Sequence, residues 1–173
     1  MTYSNVEPIV YGIASRIAIL LPTYLTAVNA ETNAALYPSD THYPSIFTVP
    51  DTSYSAEALK KAAVTTSIPA TGPFPYMMVN LDGVDYEEIG QNSDLITMRV
   101  SLVVALSESK DAKLGHALMR YMDALHKCIA ANLTLGGLVQ HIRIATIDKQ
   151  QAAGDKAGFV VADLVATIES VNE

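Results

Sequence analysis

A long stretch in which apolar side chains recur at every second position constrains the fold of this chain more than any other feature. Between residues 94 and 106, one of the two alternating sets is wholly apolar, and its members are Ile96, Met98, Val100, Leu102, Val104 and Leu106. A period of two places these side chains on one face of a β-strand, whereas a helix would distribute them around its surface. The pattern predicts a long strand with one buried face.

Similar patterns predict the rest of an α/β (α+β) domain, in which two main helices pack on a mainly antiparallel sheet of about four strands plus a hairpin. Residues 76–81 and 84–89 have strand character and are separated by Asp82-Gly83, a dipeptide typical of hairpin turns. Residues 140–148 and 158–169 have the same character, and a turn is expected at Gly154-Asp155. The last strand is partly apolar on both faces, so it is expected to need cover on both.

Two segments have helical periodicity. One helix is expected to begin at Ser109 or Asp111, and the chain is expected to leave it through Gly136-Gly137. Its apolar stripe is Leu114, Leu118, Tyr121, Leu125, Cys128 and Ile129. The other begins near Ser4 or Asn5, and Pro22 is expected to kink or end it because proline lacks an amide hydrogen. Its stripe is Ile9, Ile13, Ile17, Leu20, Tyr24 and Val28.

The apolar stretch 8–30 also has to be weighed as a signal peptide or a membrane span. Glu7 precedes it, no Lys or Arg does, and Arg16 interrupts the stretch, so the favoured interpretation is a buried helix with no membrane partner.

Composition favours one globular domain covering residues 1–173. Half of the residues are hydrophobic and 17% are charged, which is far from the composition of disordered chains. The formal net charge of −7 argues against binding to nucleic acid through a uniform positive field. Cys128 is the one cysteine, so an intrachain disulfide is excluded, and its apolar neighbours predict a buried thiol.

All eight prolines lie at or before Pro75, so the two parts of the chain differ in construction. Residues 36–75 are rich in Tyr, Pro, Ser and Thr, with a short helix expected at 56–64. Two interpretations stay open for this insertion: a surface loop packed by its own aromatic side chains, or an extended arm that reaches a neighbouring subunit.

No pattern of catalytic residues stands out, so the chain is predicted not to be an enzyme and to need no cofactor or metal. Phosphate-binding glycine loops, zinc motifs and serine-nucleophile motifs do not occur in the sequence. Asp123 and His126 stand three residues apart on a helix, a spacing that suits a metal or an acid/base pair, but a surface hydrogen bond is the simpler explanation. For His42 and His141, a structural role is the simpler explanation.

Two charged groups are candidates for contacts between subunits. Four carboxylates lie on and after the expected hairpin: Asp82, Asp85, Glu87 and Glu88. A basic stripe is expected on the outer face of the second helix: Lys113, His116, Arg120 and Lys127. Ordinary solvation explains either group, and the four carboxylates are also able to bind a hard cation. Complementary patches are, however, what head-to-tail contacts require, so Arg120→Glu is expected to shift a ring towards monomer.

In the segment 111–169, a helix ends in Ala-Asn-Leu-Thr-Leu-Gly-Gly at 131–137, and Val-Gln-His-Ile-Arg-Ile at 139–144 and Gly-Phe-Val-Val-Ala-Asp-Leu-Val-Ala-Thr-Ile at 158–168 follow it. With this succession of residues, the segment resembles phage tail-terminator and tail-completion proteins of long-tailed phages. The strand at 94–106 also fits it, whereas residues 36–75 depart from the family pattern.

This resemblance implies a structural virion protein, assembled in the bacterial cytoplasm, that forms a hexameric ring at the head-proximal end of the tail. Its implied partners are further copies of itself, the tail tube protein, the head-tail connector or neck protein and, in a contractile tail, the sheath. DNA would pass through the channel without sequence-specific binding. Two alternatives remain: another head-tail connector or neck subunit, and a non-viral α/β domain that binds a small ligand.

Overall fold

The structure is a computed structural model, and it describes residues 6–36, 76–91, 93–107, 111–150 and 157–171. The described elements are helices α1 (Glu7–Leu36) and α2 (Asp111–Ala131) and strands β1 (Tyr76–Gly90), β2 (Ser93–Ser107), β3 (His141–Gln150) and β4 (Ala157–Val171). Several predictions concern residues outside these ranges, and they are the helix caps Ser4 and Asn5, His42, the helix at 56–64, the remainder of the insertion after Leu36, and the turn at Gly154-Asp155.

The four strands form one antiparallel sheet in the order β1-β2-β4-β3. Its centre is the pairing of β2 with β4, which runs from Ser93 opposite Val171 to Ser107 opposite Ala157 without a register shift. The predicted α+β fold, with two helices on an antiparallel sheet in one domain, is therefore confirmed.

The prediction of a hairpin turn at Asp82-Gly83 is wrong. β1 continues through these residues, and Asp82 is the extra residue of a β-bulge between the pairs Leu81↔Val100 and Gly83↔Arg99. The chain turns after Gly90 instead and pairs again at Ser93. A turn at Asp82 would have left half of β2 without a hydrogen-bonded neighbour on its β1 side, so pairing along all of this side of β2 outweighs the local turn preference.

The core lies between one face of the sheet and the two helices. The alternating set predicted for β2 is buried throughout, and so are Val160, Ala162, Leu164, Ala166 and Ile168 of β4. The predicted stripe of α2 is also buried at all six positions. The other face of β4, which neither described helix covers, carries the half-buried Phe159, Val161 and Val165.

Helix α1 continues through Pro22 to Leu36 and does not end at the proline. Leu21 and Leu25, on either side of Pro22, are 0% and 2% exposed, and each such burial contributes about 1.5–3 kcal/mol. Together they offset the roughly 3 kcal/mol cost of a proline inside a helix. The buried stripe shifts accordingly, because Leu21 and Leu25 take the core positions expected for Leu20 and Tyr24, which are half-buried.

The turn after α2 depends on three consecutive residues with positive φ: Leu135 at 46°, Gly136 at 72° and Gly137 at 85°. Asn132 ends the helix by donating from its side-chain amide to the Cys128 carbonyl at 2.8 Å and to the Tyr24 hydroxyl at 2.9 Å. The expected role of the two glycines is therefore confirmed.

A test of this turn is the substitution Gly137→Ala. A Cβ at Gly137 would have no atom within 4 Å, so the substitution introduces backbone strain without a steric clash. We expect the free energy of unfolding to fall by about 1 kcal/mol, measured by urea denaturation. Gly90→Ala is the matched control, since Gly90 has no positive φ and its nearest contact would be 4.0 Å away. Equal stability losses in both variants would contradict this explanation.

The thiol of Cys128 is completely buried, and burial raises its pKa from 9.0 to about 11. We expect a thiol-specific disulfide reagent at pH 8 to modify the folded protein only as fast as the protein opens, and the urea-unfolded protein at once. Rapid modification of the folded protein would show that the packing around α2 is wrong.

Because the pKa of the Cys128 thiol is higher in the folded than in the unfolded state, the free energy of unfolding is expected to fall as pH rises from about 9 to 11.

Candidate subunit interface

The four predicted carboxylates all lie on the edge strand β1 and are exposed. Because Asp82 lies in a bulge and not in a turn, the four carboxylates do not form the tip of a hairpin. They lie along the second half of β1. Asp85 is paired within the chain, with its carboxylate 3.5 Å from the Arg99 guanidinium of β2. An added Cβ at Gly83 would lie 2.8 Å from Arg99 Nη2, the end of a flexible, exposed side chain that can move aside.

Asp82 takes part in a polar row across the face of the sheet that lies opposite the two described helices. The other members of the row come one from each strand and occupy paired positions in the register: Asn80, Ser101, Asp163 and Thr146. Asn80 donates to Asp82 at 2.8 Å, and Thr146 donates to Asp163 at 2.5 Å. The Ser101 hydroxyl lies within hydrogen-bond distance of both carboxylates, and its single proton can serve one of them at a time.

The predicted basic stripe on α2 does not exist as a continuous exposed surface. His116 is half-buried, Lys127 is exposed and forms an ion pair with Glu31 of α1, and the side chain of Lys113 lies outside the described residues. Arg120 is 4% exposed, and its guanidinium donates to the side-chain oxygen of Asn29 at 3.0 Å. The prediction that Arg120 is on the outer face is therefore wrong.

The physical reason is the position of α1. It packs along α2, so a face that seemed to be solvated on the isolated helix is partly covered by the other helix. Burial of Arg120 is possible because Asn29 supplies a hydrogen-bond acceptor inside the contact between the helices.

Arg120→Glu therefore tests the fold and not a ring contact. We expect it to reduce the free energy of unfolding by about 3–5 kcal/mol, because it places an uncompensated negative charge in the interior. Lys127→Ala is the control, since its exposed ion pair is worth about 1 kcal/mol or less. Chemical denaturation of both variants measures the difference, and a loss below 1 kcal/mol for Arg120→Glu would contradict the buried position.

A groove of about 410 Å³ between α2 and β3 was not foreseen from the sequence. Its apolar lining includes Ile129, Leu133, Ile144 and Ile147, with His126 and Arg143 as polar members. Asp123 and His126 are both exposed, and His141 is exposed at the start of β3. In the described part of the chain, no group of three or more His, Cys, Asp or Glu side chains is placed to hold a metal ion.

By length and composition, Glu7–Thr32 of α1 is able to cross a membrane. Length and composition alone are weak evidence for a membrane span, because buried core helices and N-terminal signal sequences share them. Here Ile9, Ile13 and Ile17 are 1% exposed or less and belong to the core cluster, as in a core helix.

Comparison with protein-family models gives no match, and no curated protein is significantly similar to the chain.

Proposed function

We propose that the protein is a structural, non-enzymatic subunit of a bacteriophage virion that forms a ring at the head-proximal end of the tail. There it ends polymerisation of the tail tube and joins the tail to the head connector. The observation that carries the proposal is the sheet, in which both described helices lie on the same face and the outer strands, β1 and β3, are long. Surfaces of this kind are suited to contacts with neighbouring subunits.

The order of the elements supports this proposal. β2, α2, the turn at Gly136 and Gly137, β3 and β4 follow each other in the same order as in the resemblance to tail-terminator proteins. The net charge of −7 also suits a ring through which DNA passes without sequence-specific binding. A neighbouring neck or connector ring would have the same properties, so it is the closest alternative.

The groove favours a second candidate, a non-viral domain that binds a small ligand. Its volume of about 410 Å³ is within the range of ligand pockets, and its lining combines apolar side chains with a few polar ones. This candidate predicts a monomer or dimer in solution.

Solution mass separates the two candidates. Six chains of 18.5 kDa have a mass of about 111 kDa, and light scattering combined with size exclusion is expected to find this species. Negative-stain images are expected to show rings with a central opening. A monomer at every accessible concentration would contradict the ring, and saturable binding of a small molecule by such a monomer would support the second candidate.

The place of the ring is tested on virions of a phage that encodes this chain. An antibody against the purified protein is expected to label the junction of head and tail, and to label one end of isolated tails. Labelling of the isolated heads alone would instead identify a connector or neck subunit.

A further inference from the structure

The outer edges of the sheet run in opposite directions. β1 is antiparallel to β2, β2 to β4 and β4 to β3, so β3 is antiparallel to β1. When two copies stand side by side in the same orientation, β1 of one copy therefore meets β3 of the next as an antiparallel neighbour. Among the described residues, no strand pairs with the outer edge of either β1 or β3. The strand polarity thus suits a head-to-tail contact between copies.

The charges on the two edges are complementary. β1 carries Asp82, Asp85, Glu87 and Glu88 and no basic residue. β3 carries His141, Arg143 and Lys149 against a single carboxylate, Asp148, and all four of these side chains are exposed. Charge complementarity of this kind favours the contact of β1 with β3 over the contact of two like edges.

An exposed tyrosine on one edge matches the groove beside the other. Tyr86 pairs with Ile96, whose side chain is buried on the helix side of the sheet, so Tyr86 also lies on that side. Tyr86 is 66% exposed, although it is a large aromatic residue. The groove between α2 and β3 is on the same side of the sheet and has an apolar lining. In a sheet that continues from one copy to the next, Tyr86 and this groove therefore lie in the same layer.

We propose that copies of this chain join head to tail, with the outer part of β1 from one copy along the edge of β3 in the next. Tyr86 enters the groove lined by Ile129, Leu133, Ile144 and Ile147, and on the opposite face of the sheet Glu87 lies near Arg143. The register is irregular at Asp82 and at Ile89 in β1 and at Ala145 in β3, so the contact uses residues 83–88, the regular part of β1 between its two irregularities. The inference rests on the proposed function only for the closing of successive contacts into a ring. The contact itself involves two neighbouring copies.

The first test is the substitution Tyr86→Ser. The exposed position of Tyr86 predicts little change in the stability of the isolated subunit, and the loss of an aromatic anchor predicts an increase of about 30-fold or more in the Kd of association. Ile19→Ser is the matched control, because Ile19 is 69% exposed on α1 and belongs to neither edge. Sedimentation velocity over a dilution series measures both variants, and the control is expected to assemble like the unmodified protein.

A mixing experiment tests the head-to-tail arrangement directly. Leu133→Asp places a charge in the groove at a residue that is 44% exposed, so the fold is expected to persist. At a protein concentration above the Kd of the unmodified protein but below the raised Kd of the variants, each variant alone is expected to be monomeric. When they are mixed, the intact groove of Tyr86→Ser and the intact Tyr86 of Leu133→Asp form one junction, so a heterodimer and nothing larger is expected. A contact between two like edges would produce no such complementation.

The outcomes separate this inference from the proposed function. If the unmodified protein forms rings and neither substitution changes its mass, the ring stands and the contact proposed here is wrong. If the unmodified protein forms open filaments that both substitutions abolish, the contact is supported and the ring is wrong. A monomer at every accessible concentration would overturn both.

Discussion

The pairing of β2 with β4 is the interaction on which the rest of the structure depends. Fifteen-residue strands lie side by side from end to end, and their helix-side residues form an uninterrupted apolar surface. Both helices pack against this side of the sheet, because it is the largest continuous surface available to cover their apolar stripes. β1 and β3 each pair with one member of the central pair and become the edges of the sheet.

The same central pair explains where the local rules fail. β1 continues past Asp82 because β2 offers hydrogen-bonding partners along its whole length, and the extra residue is accommodated as a bulge. Helix α1 continues past Pro22 because its flanking leucines are buried in the core. In both places a local preference worth a few kcal/mol is outweighed by burial and hydrogen bonding along a complete element.

Strands β2 and β4 and helix α2 were predictable from the sequence to within two residues at most ends, since their periodic patterns are long and uninterrupted. The candidate interface was less accessible. The exposed positions of the four carboxylates on β1 were predicted, but Arg120 was assigned to the wrong surface because the contact of α1 with α2 joins residues distant in the sequence. The groove was missed for the same reason, because α2 and β3 form it together and neither contains a signal for it alone.

The sequence by itself determined the two helices, strands β2, β3 and β4, the buried face of β2 and the glycine-dependent exit from α2, because these follow from periodicity and backbone conformation within one segment. Only the tertiary structure decided the order of the strands, and with it which strands became edges and which charges they present. It also decided the burial of Arg120 and the placement of the groove and Tyr86 on the same side of the sheet. These features depend on contacts between segments that are distant in the sequence, so the pattern within one segment does not predict them.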